Sequence, residues 1–310
     1  MSEKKILIAD KLHPLFKEEA EKLGYIVDDM PAISRAETLE VIDNYSGIAI
    51  RTKFNIDKEL LDAAINLKFI ARAGAGMDNI DFQYAETIGI HCINAPEGNR
   101  DAVAEHTMGM LLSLMNNLRK GDSEVREQIW NREGNRGFEL KGKTVGIIGY
   151  GFMGKSFAKR LKSFEVEVIA FDKYKSGFSD EFVSEVSMEQ IVKHTDILSL
   201  HIPLKRETFQ MVDQEYLLHF KKPIFFLNTS RGEIVNTRAV LNAIKQEKIL
   251  GAGLDVLEVE KFPTLAEQEW FNELIKEDRV ILSPHVAGWT IESYRKISEV
   301  LAAKLKDLSV

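Results

Sequence analysis

Along this chain the apolar residues fall in runs of about four, each closed by polar or glycine residues and separated by longer stretches with helical spacing. One set of runs lies at 6–9, 48–50, 69–71 and 90–93, and a second at 145–148, 168–171, 197–200, 224–227, 252–254 and 280–282. None alternates apolar with polar, so each predicted strand is covered on both faces, as in a parallel sheet with helices packed on either side. Two sets predict an α/β chain of two doubly wound parallel-sheet lobes. Between them, 101–119 (DAVAEHTMGMLLSLMNNLR) contains no proline and predicts one long helix. A loop containing Gly134, Asn135 and Gly137 then leads to the strand near Lys143. The final segment, TIESYRKISEVLAAKLKDL, predicts a helix that folds back onto the first lobe. The smaller lobe is then discontinuous, 1–98 plus 285–310, and the larger is 99–284.

Composition narrows the class. With 310 residues, 45% apolar and 29% charged, the chain is long enough for two cores. Its first apolar run, 6–9, is too short for a signal peptide, and no stretch approaches ~20 apolar residues. A cytoplasmic protein without a membrane partner is expected. The net charge of −7, with no extended Lys/Arg cluster, argues against a nucleic-acid partner. The single cysteine, Cys92, excludes an internal disulfide and a cysteine-based zinc site, and between Ile90 and Ile93 it reads as a core residue. Seven histidines show no metal-type pairing, so no metal is expected.

The stretch TVGIIGYGFMGKSF satisfies two phosphate-loop patterns at once. Gly149, Gly151 and Gly154 form G-x-G-x-x-G, while 149–156 also fits the G-x-x-x-x-G-K-S loop of nucleotide triphosphatases. In either case backbone amides at a helix N-terminus would face a phosphate; the plainer alternative is a tight strand-to-helix turn. Asp172 closes the next strand 18 residues after Gly154, where a dinucleotide fold places an acid against the adenosine ribose. A triphosphatase has no use for Gly151, whereas a pyrophosphate that must approach the backbone does. Asp172 would also repel a ribose 2′-phosphate, favouring NAD over NADP, a preference that Lys173 and Lys175 soften.

Ligands of such folds bind beyond the carboxyl ends of the strands. After 224–227 come Asn228, Thr229, Ser230 and Arg231; after 252–254 comes Asp255, with Glu260 five residues on; after 280–282 come Ser283, Pro284 and His285. Each alone reads as structure: a turn histidine, an arginine bridging strand ends, a solvated glutamate. Their joint order suits the reduction of a 2-keto acid, in which hydride reaches the carbonyl carbon, negative charge grows on oxygen and a proton must arrive there. His285 is the expected donor, Glu260 its orienting carboxylate, and Arg231 the two-pronged partner of the substrate carboxylate.

With these segments on view, the chain resembles the D-isomer-specific 2-hydroxyacid dehydrogenases, the family that includes phosphoglycerate dehydrogenases and glyoxylate/hydroxypyruvate reductases. The resemblance covers nearly the whole chain: RAGAGMDNID at 72–81, GNRDAVAEHT at 98–107, KGKTVGIIGYGFMG at 141–154, HIPLKRET at 201–208, LNTSRGEIV at 227–235, GAGLDVLEVE at 251–260 and SPHVAG at 283–288. It implies a Rossmann dinucleotide-binding domain, a smaller flavodoxin-like substrate domain and NAD as cofactor. It implies the catalytic set Arg231, Glu260 and His285. Cofactor contacts are implied at Thr107, Gly149, Gly151, Phe152, Met153, Gly154, Asp172, His201, Pro203, Thr208, Thr229, Arg231, Asp255, His285 and Gly288, with Asp255 facing the nicotinamide carboxamide. Substrate contacts are implied at Arg51, Ala73, Gly74, Ala75, Gly76, Arg231 and His285, and a homodimer contact near the helix from 101. By the same resemblance the substrate is D-3-phosphoglycerate; the alternatives are glyoxylate or hydroxypyruvate reduction, or an NAD(H)-sensing binding protein of the same fold. The chain departs from the family's proline-containing pattern at Glu258, Val259, Glu260 and Lys261, which places the position of Glu260 in question. Residues 262–279 also depart from a compact proline-rich connection, Trp289 is expected to narrow the substrate mouth, and no regulatory domain is expected after the last helix.

Overall fold

A computed structural model describes residues 4–308. Two compact units emerge, one of the residues up to Arg100 together with those from Trp289 onward, the other Asp101–Gly288. His285 belongs to the second.

The first unit is built on five parallel strands, β1 (Lys5–Ile8), β2 (Ile26–Asp29), β3 (Gly47–Ile50), β4 (Phe69–Arg72) and β5 (His91–Asn94), in the order β2-β1-β3-β4-β5. Its second strand, Ile-Val-Asp-Asp, was not among the expected runs. It pairs only with β1 and is half exposed, so nothing requires a continuous apolar run there. The order reverses between β1 and β3, the flavodoxin-like arrangement. One sheet face packs against Ile42, Leu60 and Ile80, and the other against Phe16 and the C-terminal helix Ile291–Asp307 through Ile297, Leu301 and Leu305. Thr290 opens that helix with a capping box to Ser293.

The second unit holds seven parallel strands: β6 (Thr144–Ile148), β7 (Glu167–Phe171), β8 (Ser184–Glu185), β9 (Ile197–Leu200), β10 (Ile224–Asn228), β11 (Ile249–Leu254) and β12 (Val280–Leu282). The order β12-β11-β10-β9-β6-β7-β8 is a Rossmann sheet whose order reverses between β6 and β9. Its edge strand β8 is two polar residues long and left no sequence signal. Two apolar layers, one around Phe226, Val240 and Ile244 and the other around Leu111, Phe157 and Leu161, cover the two sheet faces.

The long helix differs from expectation. It starts earlier, spanning Pro96–Met115, and a separate helix, Leu118–Arg126, occupies part of the expected loop. Asn117 adopts a left-handed φ of 51°, which an asparagine tolerates better than most side chains and which breaks the helical path.

Candidate active site

Register aligns the carboxyl ends of five strands in the second unit. Ile148 pairs with Leu200, Leu200 with Asn228, Asn228 with Leu254, and Leu254 with Leu282. The residues that follow, Gly149, His201, Thr229, Asp255 and Ser283, therefore lie in one row along the sheet edge.

The glycine loop opens that row. Gly149 has a φ of +93°, and a Cβ there would lie 2.3 Å from the His201 carbonyl oxygen; at Gly154 it would lie 2.1 Å from the Gly149 oxygen. Packing alone accounts for these two glycines. At Gly151 a Cβ would meet nothing within 4 Å, so the protein itself does not demand glycine there. That space lies at the N-cap of the Phe152–Leu161 helix, with Phe152 and Met153 in its first turn. Free amides, a positive helix end and room for an approaching group together fit a dinucleotide pyrophosphate. Asp172 stands beside the loop, its oxygens accepting from the amides of Tyr150 (2.9 Å) and Tyr174 (3.0 Å). The two lysines that clouded the cofactor preference are engaged: Lys173 with Glu207 at 2.5 Å and Lys175 with the Tyr150 carbonyl at 2.9 Å.

Other expected cofactor residues divide by what their side chains do. Thr107 and Thr229 bring their hydroxyls together at 3.0 Å. The His201 imidazole is buried beneath the loop with Nε2 2.9 Å from the Ser199 hydroxyl, and burial pushes its pKa down to about 4. Its backbone, not its ring, borders the row. Thr208 spends its hydroxyl on its own turn, donating to the Pro203 carbonyl (2.8 Å) and accepting from the Lys205 amide (2.8 Å).

Arg231, Glu260 and His285 meet. Buried Asn228 builds the first turn: its amide donates to the Arg231 carbonyl at 2.9 Å and its oxygen accepts from Ser230. Gly232 then lets that turn press on the next loop, since a Cβ would lie 1.9 Å from the Leu257 carbonyl. Arg231 donates from Nη1 to the Ser230 carbonyl at 2.7 Å. Glu258, one of the two carboxylates in that loop, accepts from the Thr237 amide. Glu260, despite the departure from the proline-containing pattern, lies 2.8 Å through Oε2 from Nδ1 of His285. The Glu260 hydrogen bond raises the His285 pKa above its ordinary value; partial burial and the Arg231 charge oppose it, and the Glu260 and Asp255 charges reinforce it. Nε2 of His285 has no hydrogen bond among the described residues, and the side chain is 46% exposed. Arg231, Glu233, Glu260, Lys261 and His285 line an open pocket of about 390 Å³. A fixed cation, an oriented imidazole with one free nitrogen and an adjacent carboxylate can together bind an anion and exchange a proton with it.

Asp255 was expected to face a carboxamide. Both its oxygens are engaged by the chain: Oδ1 accepts from Ser283 (2.5 Å) and the Val286 amide (2.9 Å), Oδ2 from the Ala287 amide (2.9 Å). His106 joins this group, Nε2 lying 2.9 Å from the Ser283 hydroxyl. His106 is not among the residues expected from the sequence: it stands one residue before Thr107 and in a helix carries no mark of its own. Gly288 closes the His285 segment as the last residue of the unit.

In the first unit, the other expected substrate residues form two features. The Arg51 guanidinium carbon sits 3.4 Å from the centroid of the Trp289 ring, which itself meets Tyr294 edge-on. No carboxylate among the described residues forms an ion pair with it. In the turn after β4, Ala73 and Gly74 spend their amides on Ile50 and Arg72 carbonyls, while those of Ala75 and Gly76 have no backbone partner among the described residues. Among the described residues no cluster of His, Cys, Asp and Glu is arranged to hold a metal, and no helix is long and apolar enough to cross a membrane.

The geometry has counterparts in known proteins. A family model, the NAD binding domain of D-isomer specific 2-hydroxyacid dehydrogenases, matches residues 108–287. A D-3-phosphoglycerate dehydrogenase of Archaeoglobus fulgidus is 33% identical over 307 residues, covering 98% of this chain and 57% of that protein. This chain thus spans little more than half of that relative. A glyoxylate reductase of Thermofilum pendens is 34% identical, covering 94% of this chain and 86% of its own. Among solved structures, a D-lactate dehydrogenase from Aquifex aeolicus, complexed with NAD and lactic acid, superposes with a TM-score of 0.82 at 27% identity, covering 98% of this chain and 94% of that one.

Proposed function

The chain belongs to the D-isomer specific 2-hydroxyacid dehydrogenase family and is an NAD-dependent oxidoreductase, and on that premise we propose that Arg231, Glu260 and His285 interconvert a 2-keto acid and a D-2-hydroxy acid. The observation that carries this reading is the 2.8 Å bond between His285 Nδ1 and Glu260, which leaves Nε2 open. NAD, when bound, supplies or accepts the hydride. Glu260 holds the ring and favours the imidazolium, His285 gives its Nε2 proton to the carbonyl oxygen as charge develops there, and Arg231 binds the substrate carboxylate in a forked contact. In the first unit, the Ala75 and Gly76 amides are assigned as donors to an anion. The glycine loop holds the pyrophosphate and Asp172 the adenosine ribose, with Thr107 and Thr229 as further cofactor contacts.

For the substrate, the reading is the pair 3-phosphohydroxypyruvate and D-3-phosphoglycerate. Arg51 supports it: a guanidinium stacked on an aromatic face keeps its edge donors for an anion, and no carboxylate among the described residues forms an ion pair with it, the Asp10 charge acting only from a distance. Reduction of glyoxylate or unphosphorylated hydroxypyruvate is the second reading, favoured by the glyoxylate reductase likeness over most of both chains. Loss of NADH absorbance with phosphorylated and unphosphorylated hydroxypyruvate, glyoxylate and pyruvate side by side separates them. Saturable turnover preferring the phosphorylated acid supports the first. NADH binding without turnover of any acid would mark a sensing protein instead.

A homodimer completes the reading. The Leu118–Arg126 helix buries no residue, while Leu118, Val125 and the nearby Ile129 and Trp130 stay exposed, a stripe that a second copy can cover. Light scattering on the intact protein should report twice 35.2 kDa, and Trp130→Glu should shift it toward the monomer mass.

A further inference from the structure

The turn that presents His285 is strained and held from both sides. His285 has a φ of +52°, in the left-handed region that is uncommon outside glycine, though histidine enters it more often than most side chains, and its surroundings hold it there. Asp255, 1% exposed at the end of β11, supplies the enforcement. Its carbonyl accepts from the His285 amide at 2.7 Å, and its carboxylate accepts from Ser283 ahead of the histidine and from the Val286 and Ala287 amides behind it. Behind Ser283 stands His106, on the Pro96–Met115 helix, 2.9 Å from the serine oxygen and 3.6 Å from Asp255 Oδ1.

Proton bookkeeping sets the direction of this chain. Ser283 has one hydrogen and gives it to the Asp255 carboxylate, so toward His106 its oxygen only accepts; Nε2 of His106 therefore carries a hydrogen and donates it. Two backbone amides hold the Asp255 carboxylate from behind the histidine; Ser283 adds the hold from ahead of it, and His106 orients the Ser283 hydroxyl.

We propose that His106 and Ser283 are positioning residues for the reaction: through Asp255 they hold the His285 turn in its left-handed conformation, keeping Nδ1 against Glu260 and Nε2 open. This rests on His285 being the proton donor. The charged groups acting on the His285 ring are Glu260, Arg231 and Asp255, and only Asp255 belongs to the chain. Releasing the chain lets the turn relax, lengthens the bond to Glu260 and removes part of what favours the imidazolium, so the pH limit of keto-acid reduction moves down.

The test is the pH profile of kcat for reduction of the acid that the substrate panel identifies, with NADH affinity read by fluorescence and folding by thermal melting. Ser283→Ala and His106→Phe are expected to lower kcat about tenfold, the effect of losing one orienting hydrogen bond, and to shift the basic limb to lower pH. Ser283→Thr and His106→Gln, which keep the donors and acceptors, should restore both. A drop in kcat with the limb unmoved, or no change in either, overturns the proposal. If Ser283→Ala does not fold, His106→Phe decides, its site being partly exposed. His285→Gln, measured alongside, separates the two levels: wild-type turnover there sinks the donor assignment itself, whereas loss of turnover there with unchanged Ser283 and His106 variants sinks only the positioning role.

Discussion

The glycine-bearing turn after β6 and the one after β4 use glycine differently. In the first, Gly149 and Gly154 are forced by backbone 2.3 and 2.1 Å from where their side chains would begin, while Gly151 faces open space. In the second, Gly74 sits under the Arg72 guanidinium at a φ of +150°, and the amides left over belong to its neighbours Ala75 and Gly76. A glycine explained by packing says little about a ligand; a glycine or an amide that the fold leaves unused is where a ligand is to be sought. The first turn thus points to one position, the second to two adjacent amides.

The largest effect expected lies along the same row of strand ends as the first turn, after β12. His285→Gln should cut turnover by about 100- to 10,000-fold, the usual worth of a positioned proton donor, with NADH affinity nearly intact by fluorescence titration. Equal loss of both would make His285 a binding residue. Next, Gly149→Ala should destabilise the fold by about 1–3 kcal/mol in denaturant melts, because it combines a positive φ with a backbone clash. Gly151→Ala should leave the melt unchanged and weaken NADH about tenfold, a shift of about 1.4 kcal/mol. The reverse pattern would erase the distinction between the two glycines. Asp172→Ala should move the NADH-to-NADPH preference about tenfold toward NADPH, the scale of one partly screened charge pair; an unchanged ratio would remove Asp172 from that role. The smallest effect belongs to the first unit: Trp289→Ala, by freeing Arg51, should raise KM for a phosphorylated acid about threefold with kcat unaffected, the scale of an exposed cation–π contact. A fall in kcat alone would contradict it.

How much of this was legible beforehand follows burial. The strands of both sheet interiors were visible as apolar runs, as were the edge strands β5 and β12, which keep apolar residues; the edge strands β2 and β8 are rich in polar residues and were not. The helix break came from the backbone of Asn117, one of two adjacent asparagines inside a proline-free sequence whose one glycine, Gly109, lies within the helix. Order after successive strands placed Arg231, Glu260 and His285 in one region because parallel register aligns strand ends. Sequence order could not orient side chains: the His201 ring turns inward to Ser199, and Asp255 turns toward the His285 segment. Nor could it join Ser283 to His106, 177 positions apart, since neither lies in a motif whose spacing encodes the contact.

The most direct test of the central claim, that Glu260 holds His285 as the proton donor, is the pH dependence of kcat for keto-acid reduction in the wild type and in Glu260→Gln. Since the Glu260 bond raises the His285 pKa, reduction should persist above the ordinary histidine range and fall as pH rises through that raised value, while oxidation of the hydroxy acid should gain there. Glu260→Gln should move the falling limb to lower pH. A limb in the same place in both proteins would contradict the account.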